Sequence, residues 1–132
     1  MTPTELCGRT KAFALAVART LGTAADSAGA GSRHAAGQVI RSSAAVAANY
    51  RAVGLARSLA EFTAKLGVVV EEADETVFWL EYLKESTATP DPTLDALLNE
   101  ARQLVRIFMA SRRTALRRRD SQRVPRQKRT RT

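Results

Sequence analysis

Six polar side chains, Arg41, Asn49, Arg51, Glu71, Glu72 and Glu75, interrupt the run from Gln38 to Leu83, nearly half of which is Ala, Val and Leu. Polar groups in an apolar helical pattern are costly unless each finds a partner, so their positions bear on function. Reflecting the run about residue 56 sets Arg41 opposite residues 71 and 72 and brings Asn49 towards Thr63. Arg41 is expected to pair with Glu71, Glu72 or Glu75, inside or beside a helical bundle. A guanidinium meets a carboxylate through two parallel hydrogen bonds and so fixes helix register as well as charge. If that pair is buried, losing one partner costs about 3–5 kcal/mol.

Other chemistry fares worse. The cluster Glu71, Glu72, Asp74 and Glu75 invites a carboxylate-bridged metal pair, but that site takes a Glu-x-x-His from each of two helices. The single histidine, His34, lies near the start of another helix. Cys7 and His34 lack an orienting third group, and no Gly-rich phosphate loop or Gly-x-Ser-x-Gly elbow occurs. No enzyme, metal or cofactor is expected.

Phosphate chemistry concentrates at the C-terminus. The net charge is +8, yet residues 1–111 hold 11 basic and 12 acidic residues, while residues 112–132 hold 10 basic and one acidic. The ten are Arg112, Arg113, Arg117, Arg118, Arg119, Arg123, Arg126, Lys128, Arg129 and Arg131. Such density binds phosphates by counterion release with steep salt dependence. No aromatic residue follows Phe108, so base stacking and sequence-specific single-strand recognition are not expected there. A solvated tail that aids solubility is the competing reading.

The elements that must carry these groups are helical throughout. Thr2-Pro3-Thr4-Glu5 reads as a capping box with proline at the first helical position. Leu6, Phe13, Val17 and Leu21 continue it as a stripe closed by Gly22. The stretch 24–31 reads as a loop, and a second helix starts near Ser32. Small residues on nearly every face of that helix predict burial on several sides. After a break at 54–57, Ser58 and Glu61 predict a second capping box and a helix to about Glu85. Its expected buried side is Leu59, Phe62, Leu66, Val69, Val70, Ala73, Val77, Leu80 and Leu83. Phe78 and Trp79 both read as packed against neighbouring helices, the alternative being one of them at a groove or subunit contact. Asp91 and Pro92 open a fourth helix, with Leu94, Leu97, Leu98, Ala101, Leu104, Val105, Phe108 and Met109 as its stripe.

The expected fold is all-α: an antiparallel up-down four-helix bundle over 1–111, then an Arg/Lys-rich helix extension and disordered basic tail over 112–132. One cysteine excludes an internal disulfide, and no apolar run reaches the roughly 20 residues of a membrane span. The run Ala12–Ala18 fits an amphipathic helix better than a signal peptide. A cytoplasmic protein is expected.

The residues Gln38, Ile40-Arg41-Ser42-Ser43, Ala48-Asn49-Tyr50-Arg51-Ala52, Ser58, Glu61-Phe62, Lys65-Leu66, Glu71-Glu72-Ala73, Glu75 and Phe78-Trp79-Leu80 carry a likeness. Together they resemble the bacterial four helix bundle protein family, also called the 23S rRNA intervening-sequence protein family. It is related to the accessory variability determinant of diversity-generating retroelements. The likeness covers about residues 5–110 and implies an antiparallel four-helix bundle that assembles as a homopentamer. Through the retroelement relatives, which bind nucleic acid and a reverse transcriptase, it implies these as partners; the intervening-sequence members have no established activity. The arginine-rich end lies beyond the shared region, and stretch 24–31 lacks the proline that relatives often have. Two functions follow as expectations: an oligomeric scaffold holding structured RNA or DNA by basic C-terminal arms, or an accessory subunit docking on a reverse transcriptase.

Overall fold

The computed structural model describes residues 1–22, 29–87 and 89–123, except the Arg123 side chain. Four helices follow one another: α1 (Pro3–Leu21), α2 (Ala30–Val53), α3 (Leu59–Ser86) and α4 (Pro92–Arg123). Among the described residues there is no strand. Each helix packs on the next, and α1 also meets α4 over a smaller area, closing an antiparallel bundle. The stretch 24–31 falls mostly outside the described residues, and α2 begins at Ala30, two residues before Ser32.

The helix starts follow their punctuation. Thr2 accepts from the Glu5 amide and Glu5 accepts from the Thr2 amide, a complete capping box. Ser58 accepts from the Glu61 amide at 3.1 Å, but the reciprocal bond is absent, since the Glu61 carboxylate turns to Arg57 at 3.4 Å. Asp91 Oδ1 accepts from the amides of Thr93 and Leu94, satisfying two of the three orphan donors of α4, since Pro92 has no N–H.

The core holds Leu6, Phe13 and Val17 of α1 against Val39 and Val46 of α2, Leu66, Val69 and Leu80 of α3, and Leu98, Leu104 and Phe108 of α4. Leu59, Phe62, Val70 and Val77, expected within this core, lie half-buried at its margin, and Met109 is exposed. Among the described residues five hydroxyls are buried with it instead: Thr10, Ser42, Ser43, Thr63 and Thr76. Each is within hydrogen-bonding distance of a carbonyl three or four residues back on its own helix, which removes most of the cost of burying it. Thr76 also lies 2.7 Å from Ser42, tying α3 to α2 in the dry interior.

Helix two departs from expectation. Ala35, Ala36 and Val39 are buried, but Gly37, Ala44 and Ala48 face water. A single chain therefore covers only one side of this small-residue helix.

Candidate nucleic-acid interface

Ion pairs set the register that positions the cationic groups. Lys84 meets Asp95 at 3.1 Å and Glu81 meets Arg102 at 3.3 Å. Further along, Arg112 lies over Gly67, where an added Cβ would stand 3.2 Å from its Nε. Continuing that antiparallel register sets the start of α3, near Leu59, beside residue 119 or 120. Arg9 of α1 grips Glu100 of α4 with two bonds, at 2.6 and 2.8 Å, and Gln103 at 2.9 Å. Since α1 begins six residues before Arg9, α4 outruns α1 from about residue 106 onward.

Residues 112–119 consequently belong to a packed helix. The helix does not break at the 111/112 boundary: Ala115 is 3% exposed and in the core, and Leu116 is half-buried. Arg112 and Arg119, one heptad apart, lie against the bundle with each Nε buried and without an acceptor among the described residues. Gly67 is what permits the close approach of Arg112, whose stem packs as much as its head is charged. Arg113, Arg117 and Arg118 are exposed. With 100° per residue, Arg106, Arg113 and Arg117 form one outward face of α4, and Arg118 stands on its flank. Arg106 precedes the charge block that composition starts at residue 112. A periodic reading of exposed arginines along α4 finds it. Arg123 is helical, and Arg126, Lys128, Arg129 and Arg131 lie outside the described residues.

Clustering, more than pairing, divides the cations by position. Arg9, Arg41, Arg57, Lys84 and Arg102 each have a carboxylate partner; Lys11, Arg19, Arg51 and Lys65 have none among the described residues, but they belong to a body of nearly balanced charge. Arg106, Arg112, Arg113, Arg117, Arg118 and Arg119 have none among the described residues. One end of the molecule thus carries uncompensated positive charge, the form in which a surface attracts polyanions.

The second constellation lies on the other side of α3. Arg41 bonds to Glu75, to Glu72 at 3.4 Å, and to Gln38 at 3.1 Å. Glu71, the third candidate, points to solvent, and Asn49 is half-buried with no side-chain hydrogen bond to the described residues. The partners lie up to four residues from reflection about residue 56, because the turn occupies 54–58 and moves the axis. The Arg41 guanidinium is held above its ordinary pKa, chiefly by the bond to Glu75 and against a smaller loss from burial. Arg9 is raised in the same sense by Glu100. Both stay charged across the working pH range, so neither is a pH switch.

Burial decides the strength of the Arg41 cluster. The Arg41 side chain is 47% exposed and Glu75 is 37% exposed, so the cost of 3–5 kcal/mol attached to a buried pair does not apply. Arg41→Ala is expected to lower stability by only about 0–1 kcal/mol, read as a midpoint shift of a few degrees at most in a circular dichroism melt. A drop beyond 10 °C, on the order of 2 kcal/mol or more, would show the cluster to be buried after all.

Phe78 and Trp79 part company. Trp79 is half-buried, with its ring edge-on to His34 at 5.2 Å, to Phe78 at 4.8 Å and to Tyr82 at 5.5 Å. Phe78 is 55% exposed, against the expectation that both rings pack on neighbouring helices. Among the described residues no group of three His, Cys, Asp or Glu side chains is placed to hold a metal ion. No described helix is long and apolar enough to cross a membrane.

By fold, this is an antiparallel four-helix bundle with one cationic end. It is similar to the crystal structure of a protein with unknown function from the S23 ribosomal protein family, from Bacteroides thetaiotaomicron VPI-5482. The TM-score is 0.74 at 21% identity, over 86% of this chain and 99% of that one. The likeness establishes the architecture and agrees, at a coarse level, with the helical family that residues 38–80 resemble. No family model and no curated protein matches the sequence.

Proposed function

We propose that this chain is a non-enzymatic cytoplasmic bundle that assembles with copies of itself, as a pentamer, and holds structured RNA or DNA on the arginine-bearing end of α4. The observation that supports it is the clustering of uncompensated charge: six arginines between 106 and 119 have no acidic residue among them in sequence and no carboxylate partner among the described residues, whereas residues 1–105 hold 10 basic and 12 acidic residues. A tail that served solubility alone gains nothing from being set on a packed helix. Assembly would multiply these ends and raise effective concentration at a polyanion. Contacts of this kind hold the phosphate backbone and carry little sequence information.

The test is a fluorescence anisotropy titration with a hairpin RNA and a DNA duplex at several salt concentrations. With three to five arginines on phosphates, log K is expected to fall linearly with log salt, with a slope of about −2 to −5. Absence of binding at about 50 mM salt, where such contacts are strongest, would discard the proposal. The exposed Phe78 and Tyr82 support a second reading, in which a protein such as a reverse transcriptase is the primary partner. Purified protein that ignores nucleic acid yet co-purifies with a polymerase would favour it.

A further inference from the structure

Helix α3 carries two seams. The inward one, with Leu66, Val69, Ala73, Thr76, Leu80 and Leu83, is buried in the bundle. The other comprises Ala64, Val68, Glu71, Glu75, Phe78 and Tyr82, spaced alternately by four and three residues. That alternation keeps a stripe turned toward a single partner helix. At 100° per residue it lies opposite the inward seam, and α2 reaches only its edge, where Arg41 bonds Glu75. Val68 is 44%, Phe78 55% and Tyr82 41% exposed. Trp79 braces both Phe78 and Tyr82 edge-on, so the two rings are held in position.

A groove of about 690 Å³ runs along the outer side of α1 and α2. Leu15 and Ile40 line it with Ala14, Ala18, Ala44 and Ala48, and that alanine floor lets another helix come close. Lys11 and Arg51 border the groove and have no carboxylate partner among the described residues. On the stripe, Glu71 is likewise without a cationic partner among them. Lengths are compatible as well. The groove follows α1 from Thr4 to Ala18, about 21 Å, and the stripe follows α3 from Ala64 to Tyr82, about 27 Å at 1.5 Å per residue, long enough to fill it. Within one chain the two cannot meet, because the groove lies on the outer side of α1 and α2, the stripe faces outward from α3, and α1 and α3 do not pack as neighbours.

We propose that the outward stripe of α3 in one copy docks into the α1/α2 groove of a second copy. Apolar content and sign of charge match, the length suffices, and both surfaces stand open on the same molecule. The contact joins two different faces, so it is heterologous: it leaves a free groove at one end and a free stripe at the other, and repetition builds a ring or a filament. This rests on the self-association proposed above and assigns the surfaces that perform it.

Two surface variants test it. Ala44→Arg with Ala48→Arg fills the groove, and Glu71→Lys with Phe78→Lys disables the stripe. All four positions are exposed, and retained helicity by far-UV circular dichroism confirms folding. Each variant alone is expected to lose assembly by light scattering, with affinity reduced on the order of 30-fold or more, as for a hot-spot residue. Mixed one to one, they retain one good groove and one good stripe and are expected to form a dimer and stop there. Wild-type mass in both variants, or a mixture that stays monomeric, overturns the assignment of surfaces while self-association stands. A wild-type chain that is itself monomeric at micromolar concentration overturns both.

Discussion

Replacing Phe108 by alanine is expected to lower the thermal midpoint by about 10–20 °C, the largest stability effect of any single substitution considered. Phe108 is 0% exposed, and its ring lies 5.1 Å from that of Tyr50 in a tilted arrangement. It also sits where α4 begins to outrun α1, so fewer neighbours can move in to fill a void. Truncating a buried Phe removes its transfer free energy and leaves a cavity, together about 3–5 kcal/mol. Against a total of roughly 5–15 kcal/mol, that is a large fraction. Tyr50 would lose its ring partner at the same time; its hydroxyl is held above the usual tyrosine pKa chiefly by burial, with Cys7 adding to the shift. Phe108→Leu keeps most of the volume and should recover more than half of the loss. The measurement is a circular dichroism melt at fixed protein concentration, because assembly makes the midpoint depend on it. A fall below about 3 °C, under 1 kcal/mol for a chain of this size, would place Phe108 outside the core.

The backbone was legible because local chemistry announces where helices begin. Thr2-Pro3-Thr4-Glu5 and Asp91-Pro92 cannot comfortably do anything else, and α1 and α4 start there. Less was legible wherever the outcome depends on what another helix supplies. Thr63 and Thr76 look polar in sequence, yet each returns its hydroxyl to a carbonyl of its own helix and packs as an apolar residue. The spacing Thr63–Leu66–Val69–Ala73–Thr76–Leu80–Leu83 did carry that signal, but only for a reader willing to count threonine as core. The Arg9–Glu100 clamp left no trace, since 91 residues separate its members and neither stands in a distinctive local context. Polarity alone groups Asn49 with Arg41, and reflection about residue 56 adds Glu71, whereas the geometry gives the bonds to Glu72, Glu75 and Gln38.

The cationic end shows the same limit from the opposite direction. Composition locates the charge block but says nothing of where the chain stops packing. Counting charge set the edge at residue 112, whereas Ala115 is core and Arg106 shares a face with Arg113 and Arg117. A chain cut at Ala110 would therefore lose packing on α3 along with its arginines, and any loss of binding would be ambiguous. The separation must be made by substitution on an intact helix.

Arg106→Gln, Arg113→Gln and Arg117→Gln in one chain are accordingly expected to abolish most nucleic-acid binding while leaving fold and assembly in place. Glutamine has nearly the helix propensity of arginine, and all three positions are exposed and lack carboxylate partners among the described residues. The melt should therefore move by no more than about 0.5 kcal/mol. Binding should move far more. Each arginine on a phosphate contributes about 0.7–0.9 to the slope of log K against log salt, so three removed should flatten it by about 2.1–2.7. The electrostatic contribution fades near 1 M salt; one decade lower, at about 0.1 M, the same change amounts to a loss on the order of 100-fold or more. Comparing the variant in the full chain and in a chain ending at Arg123 isolates the helical face from Arg126, Lys128, Arg129 and Arg131. Arg112 and Arg119 are left untouched in both, because their side chains lie against the bundle and their loss would confuse packing with charge. A salt slope identical to that of the parent would show that phosphates do not contact this face of α4, whatever the remaining affinity.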